Sequence, residues 1–110
     1  MRFDEKAVIV TGGALGIGKA TSQLLAERGA AVAVFDWDER AGTKTCEEIE
    51  AKGGHAIFQK VNVADFAGVE NAVQNAHQIF GKINSLIVSA GIQRYGTAVS
   101  TSEEQWEEVL

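Results

Sequence analysis

The feature that most constrains this chain is a change of period across a cluster of glycines. Ala7-Val8-Ile9-Val10 is a short apolar run, rich in Val and Ile, and it does not alternate with polar residues. Such a run reads as a strand buried on both faces. It ends at Thr11-Gly12-Gly13, and from Gly16 to Arg28 the pattern becomes helical. Ile17, Ala20, Leu24 and Leu25 form the expected inward stripe, and Gly29 stands where a helix stop belongs. A buried strand delivered through a glycine turn into a helix is half of a strand–helix–strand crossover.

The same alternation continues. Ala31-Val32-Ala33-Val34-Phe35 reads as a second buried strand, closed by Asp36. Residues 38–52 read as a helix with Ala41, Thr45 and Ile49 inward, stopped by Gly53-Gly54. Residues 55–63 form a third strand of more mixed pattern. Asp65 is placed to cap a helix reaching Phe80, with Phe66, Val69, Val73, Ala76 and Phe80 along its stripe and Gly81 at its end. Residues 83–89 form a fourth strand. Ser102 with Gln105 then makes a capping-box pattern ahead of Trp106, Val109 and Leu110. Strands alternating with helices call for an α/β fold, a parallel sheet with helices on both faces. Right-handed crossovers favour the strand order 3-2-1-4, the first part of a doubly wound, Rossmann-type sheet. The expectation is a single dinucleotide-binding domain over residues 1–110, part of a longer domain, with the chain stopping early in the helix after the fourth strand.

Composition removes other classes. A net charge of −5 opposes nucleic-acid binding, because the chain would repel the phosphates it must neutralise. One cysteine allows no internal disulfide and no cysteine metal cluster, which fits a reducing compartment. No apolar run approaches the roughly 20 residues that span a bilayer, and the charged start is unlike a signal peptide. The expected setting is the cytoplasm, away from membranes. Cys46, His55, His77 and the glutamate runs at 47–50 and 103–108 read as ordinary helix or surface residues. No metal site is expected.

The glycine turn carries the chemistry. A phosphate oxygen needs backbone N–H donors and the positive end of a helix. Side chains there would hold a pyrophosphate away, which is why Gly12, Gly16 and Gly18 stand in the turn. Asp36 follows Gly18 at about the 20-residue offset of the acid that binds an adenosine ribose. Its carboxylate accepts hydrogen bonds from ribose hydroxyls and repels a 2′-phosphate, so it selects NAD over NADP. Trp37 either flanks the adenine or covers the sheet edge. A rival reading takes Gly13, Gly18 and Lys19 as the phosphate loop of a nucleotide triphosphatase. Ala20 then stands where a magnesium-binding hydroxyl is required, which counts against it.

The stretch from Val8 to Gly18 resembles the cofactor loop of the short-chain dehydrogenases/reductases, T-G-x-x-x-G-x-G. The resemblance continues through Asp36, Val61-Asn62-Val63, Ser89-Ala90-Gly91 and Thr101 to Trp106, and so covers essentially the whole chain. It implies that Gly12 to Gly18, Leu15 included, hold the pyrophosphate, with Ile17 offering a backbone N–H and Thr11 bracing the loop. Asn62, where the family usually has Asp, meets the adenine edge with its side chain and Val63 with its backbone. Ser89, Ala90 and Gly91 line the nicotinamide-side ribose; the family's usual N-N-A-G is here Val88-Ser89-Ala90-Gly91. The resemblance further implies an NAD-dependent oxidoreductase that moves hydride between nicotinamide and a small carbonyl or secondary alcohol, and possible homo-oligomers. The family's chemistry needs a Tyr followed four positions later by Lys. The one tyrosine, Tyr95, has Val99 at that offset. No catalytic residue is therefore assigned within these 110 residues, and the chain alone is expected to be inactive. A non-catalytic dinucleotide-binding module is the alternative that this absence supports.

Overall fold

A computed structural model describes residues 2–88. Its elements are β1 (Ala7–Thr11), α1 (Gly16–Glu27), β2 (Ala31–Asp36), α2 (Glu39–Ala51), β3 (His55–Lys60), α3 (Phe66–Phe80) and β4 (Ser85–Val88). The four strands form one sheet in the order β3-β2-β1-β4. All three pairings are parallel, with Ile9 opposite Ala33 and Leu86, and Val34 opposite Phe58. This is the order expected from the strand–helix alternation, a Rossmann-like α/β sheet.

The strand sequences follow from their place in that order. β1 lies between β2 and β4, and all five of its residues are buried. Side chains of alternate parity feed two cores. Val8, Val10, Val32, Val34, Ala56 and Phe58 pack with Ala26, Cys46 and Ile49 on the α1/α2 face. Ile9, Ala33, Phe35 and Ile57 pack with Val69, Ala72 and Ala76 of α3 on the other. A strand flanked by two cores has no polar side, which is why the run from Ala7 to Val10 does not alternate.

Two inward stripes differ from expectation. On α1 the buried residues are Gly18, Ser22 and Ala26, while Ile17 and Leu24 are 71% and 50% exposed. The helix turns its small residues to the sheet so that its backbone comes close. On α3, Phe66 is exposed because Asp65 caps the helix immediately before it, and the inward face begins at Val69. The helix ends are capped locally: at the starts Asp38 accepts the Ala41 N–H at 3.0 Å and Asp65, as expected, accepts the Gly68 N–H at 3.2 Å, and at the expected stop Gly81 returns its N–H to the His77 carbonyl at 2.7 Å.

The third and fourth strands are shorter than expected. β3 ends at Lys60, after which Val61 still donates to the Asp36 carbonyl at 3.0 Å. Asn62 then folds the chain away by accepting the Ala64 N–H on Oδ1 at 2.9 Å. Before β4, Asn84 substitutes for a strand residue. Its Oδ1 accepts the Ala7 N–H, and its own N–H donates to the Ala7 carbonyl, both at 2.8 Å. The expected capping box at Ser102 and the stop in the following helix lie outside the described residues.

Candidate functional site

The glycine turn sits at the C-terminal ends of β1 and β2. Gly12 donates its N–H to the Phe35 carbonyl at 2.8 Å, so the turn begins pinned to β2. Gly12 and Gly16 have φ of +69° and +58°, in the left-handed region where a β-carbon is strained. Gly13 is required for a different reason. A β-carbon there would lie 2.9 Å from Ser22 Oγ, 3.0 Å from the Val10 carbonyl and 3.1 Å from Val34 Cγ1. The turn is therefore pressed onto α1 at Ser22. Gly18 is buried on α1 as well, whereas the sequence reading gave Gly13 a role only in the rival phosphate loop. The doubled glycine was its available signal.

Leu15 and Ile17 are exposed, at 56% and 71%, and Gly16 has open space where a β-carbon would stand. Leu15 is the N-cap of α1 and gives no side-chain hydrogen bond. The first-turn N–H groups of an α-helix have no intrahelical partner. The chain thus presents uncapped N–H donors and the positive helix end to the outside. A Ser or Asp at Leu15 would have filled that place with its own oxygen.

Asp36, half-buried at the end of β2, faces this turn. Its Oδ2 accepts the Ala14 N–H at 3.1 Å and its Oδ1 accepts the Asp38 N–H at 3.0 Å. Each oxygen keeps a lone pair for a further donor. From the other side, the buried Thr45 of α2 donates its hydroxyl to the Ala14 carbonyl at 3.0 Å. Ala14 is held at both its N–H and its C=O by side chains from beyond the turn. Thr45 was legible in the sequence only as an inward residue, because its partner lies across the fold.

Thr11 is buried, and its hydroxyl reaches the Ile87 carbonyl of β4 at 3.5 Å. Lys19 pairs with Glu48 of α2 at 3.1 Å. Its ammonium is thus drawn along the helix toward α2. Trp37 is 64% exposed, with the Lys60 ammonium 4.5 Å from its ring centroid. Asn62 and Val63 follow β3. The Asn62 Oδ1 is engaged by Ala64, which turns its amide NH₂ outward, and Val63 is half-buried against the α3 core. Thr11, Gly12, Leu15, Gly16, Ile17, Gly18, Asp36, Trp37, Asn62 and Val63 thus share the edge of the sheet at the strand C-termini. Ligands of open α/β sheets bind at that edge. Ser89, Ala90, Gly91 and Tyr95 lie outside the described residues.

Elsewhere, burial raises the Cys46 thiol to about 11, with Glu50 and Glu47 adding to the rise. Among the described residues no cluster of His, Cys, Asp and Glu could hold a metal ion. No described helix is long and apolar enough to cross a membrane.

Residues 6–110 match the family model for the short chain dehydrogenases. The chain belongs to the short-chain dehydrogenase family. It is 40% identical over 110 residues to an uncharacterized oxidoreductase of Thermotoga maritima, covering 100% of this chain and 43% of that protein. Among solved structures, a dehydrogenase/reductase from Sinorhizobium meliloti superposes with a TM-score of 0.79 at 33% identity, over 82% of this chain and 36% of that one. The NAD⁺-bound xylitol dehydrogenase superposes with a TM-score of 0.75 at 34% identity, over 78% of this chain and 33% of that one. The chain therefore spans less than half the length of the short-chain dehydrogenases it matches.

Proposed function

We propose that this chain is the cofactor-binding part of an NAD-dependent short-chain dehydrogenase. The observation that carries the reading is the Asp36 carboxylate bonded to the Ala14 N–H, beside a helix N-terminus that has no side-chain cap. A pyrophosphate fits the uncapped N–H groups of Gly16, Ile17 and Gly18. Ribose hydroxyls fit the free lone pairs of Asp36. Thr45 and Asp36 together hold Ala14, so the turn is formed before anything binds, which lowers the ordering cost of binding. Asn62 and Val63 are proposed to meet the adenine edge, with Trp37 flanking it. Ser89, Ala90 and Gly91 are proposed to meet the nicotinamide-side ribose.

The nicotinamide supplies hydride when bound. In the whole protein the partner substrate would be a carbonyl compound or a secondary alcohol. The xylitol dehydrogenase that superposes on this chain is described with NAD⁺, which agrees with the carboxylate at Asp36. A lone cysteine, buried and held as a thiol, agrees with a reducing, cytoplasmic setting.

The test is equilibrium binding of NADH and NADPH to this chain and to Asp36→Ala. A charged hydrogen bond to ribose is worth about 1.5–3 kcal/mol. NADH binding should therefore weaken about 10- to 150-fold in the variant, with the gap to NADPH narrowing. Tighter binding of NADPH than of NADH by the unaltered chain would overturn the role of Asp36.

A further inference from the structure

Lys60 is placed where the Asp36 rule for cofactor choice can be modified. Asp36 and Lys60 are register partners at the ends of β2 and β3. Val34 and Phe58, two positions before them, both pack on the α1/α2 face. Alternation along a strand therefore sends the Asp36 and Lys60 side chains out on that same face. Neighbouring strands are about 4.8 Å apart, so the two side chains leave the sheet side by side. The carboxylate nonetheless takes its hydrogen bonds from the Ala14 and Asp38 N–H groups. Among the described residues the Lys60 ammonium has no carboxylate partner and rests on the exposed Trp37 ring, 4.5 Å from its centroid. The adenosine end of the candidate site thus holds an acid already met by two backbone donors, and next to it a cation committed only to an indole face.

We infer that Lys60 is a specificity-determining residue, whose ammonium partly neutralises a 2′-phosphate and lets the site take NADP as well as NAD. The inference rests on the dinucleotide reading above. Asp36 opposes a phosphate on the ribose, and Lys60 opposes that repulsion from the adjoining strand. Trp37 serves as the resting place that keeps the ammonium at the rim and out of a pair with Asp36. A salt-screened ammonium–phosphate contact near the surface is worth about fivefold in affinity.

The experiment measures the dissociation constants of NADH and NADPH for the unaltered chain, Lys60→Met and Lys60→Arg. Methionine keeps the apolar stem over Trp37 and removes the charge. The ratio of the NADPH constant to the NADH constant should rise about fivefold in Lys60→Met and return toward its original value in Lys60→Arg. NADH binding with an unchanged ratio in Lys60→Met overturns the role of Lys60 and leaves the dinucleotide reading standing. If the folded chain binds neither dinucleotide, both readings fall.

Discussion

Replacing Gly13 by Ala puts the packing beneath the glycine turn to a quantitative test. The added methyl would sit 2.9 Å from Ser22 Oγ, 3.0 Å from the Val10 carbonyl and 3.1 Å from Val34 Cγ1. One neighbour is main chain of the central strand, and the other two are fully buried side chains. Little of this can yield, so the substitution should cost about 2 kcal/mol, within the usual range for overpacking. Ser22 supplies a built-in control. Its hydroxyl is buried without a hydrogen-bond partner among the described residues. Ser22→Ala should therefore be neutral or stabilising by about 1 kcal/mol, since it removes a polar atom that has lost its water. It also removes the nearest atom to the new methyl. The double variant should recover about 1 kcal/mol beyond the sum of the two single effects, the remainder being held by Val10 and Val34. Urea unfolding followed by circular dichroism would measure all four corners of the cycle. With a slope of about 1–1.5 kcal/mol per molar urea, the Gly13→Ala midpoint should fall by about 1–2 M. A Gly13→Ala variant as stable as the original, or one that Ser22→Ala does not relieve, would refute the claim that the turn is pressed onto α1.

Three further outcomes are expected. Thr45→Val should lower stability by about 1–2 kcal/mol, because it strips a buried carbonyl of its donor. It should also weaken NADH binding although Thr45 belongs to α2; stability and affinity are to be measured on the same preparation. Cys46 should be alkylated at pH 8 about 100-fold more slowly in the folded chain than in urea, as a shift from 9.0 to about 11 dictates. The raised value places the neutral thiol's advantage fully below about pH 9 and loses it as the pH climbs toward 11. Equal alkylation rates at pH 8 would contradict the burial of that thiol. This chain should show no NADH consumption against a panel of carbonyl compounds, since proton delivery to the forming alkoxide needs a donor within about 3 Å and the sequence holds no Tyr-x-x-x-Lys pair. Substrate-dependent turnover that vanishes in Tyr95→Phe would place the chemistry at Tyr95 itself.

Much of this fold is local, and so readable along the chain. The unbroken apolar runs at Ala7–Val10 and Ala31–Phe35 mark strands with a core on each face, and Asp38, Asp65 and Gly81 act within one turn of their own positions. The general preference for right-handed crossovers supplied the expected strand order, which the sheet adopts. The tight turn after β1 was equally legible as a turn, because the doubled glycine marks a positive φ at Gly12 and a place with no room for a β-carbon at Gly13. The rotation of α1 was not. Ile17 and Leu24 are the more apolar residues, yet Gly18, Ser22 and Ala26 face the sheet. Hydrophobicity predicts which residues prefer burial, whereas the small gap between helix and sheet at Gly13 decides which residues fit. The bond from Thr45 to Ala14 and the nearness of Lys60 to Asp36 and Trp37 also belong to the tertiary structure alone. Each joins residues that are remote in sequence and adjacent only because β1, β2 and β3 lie in register. Sequence spacing carries the chemistry of single turns; the pairing of strands decides which of those chemistries share one edge.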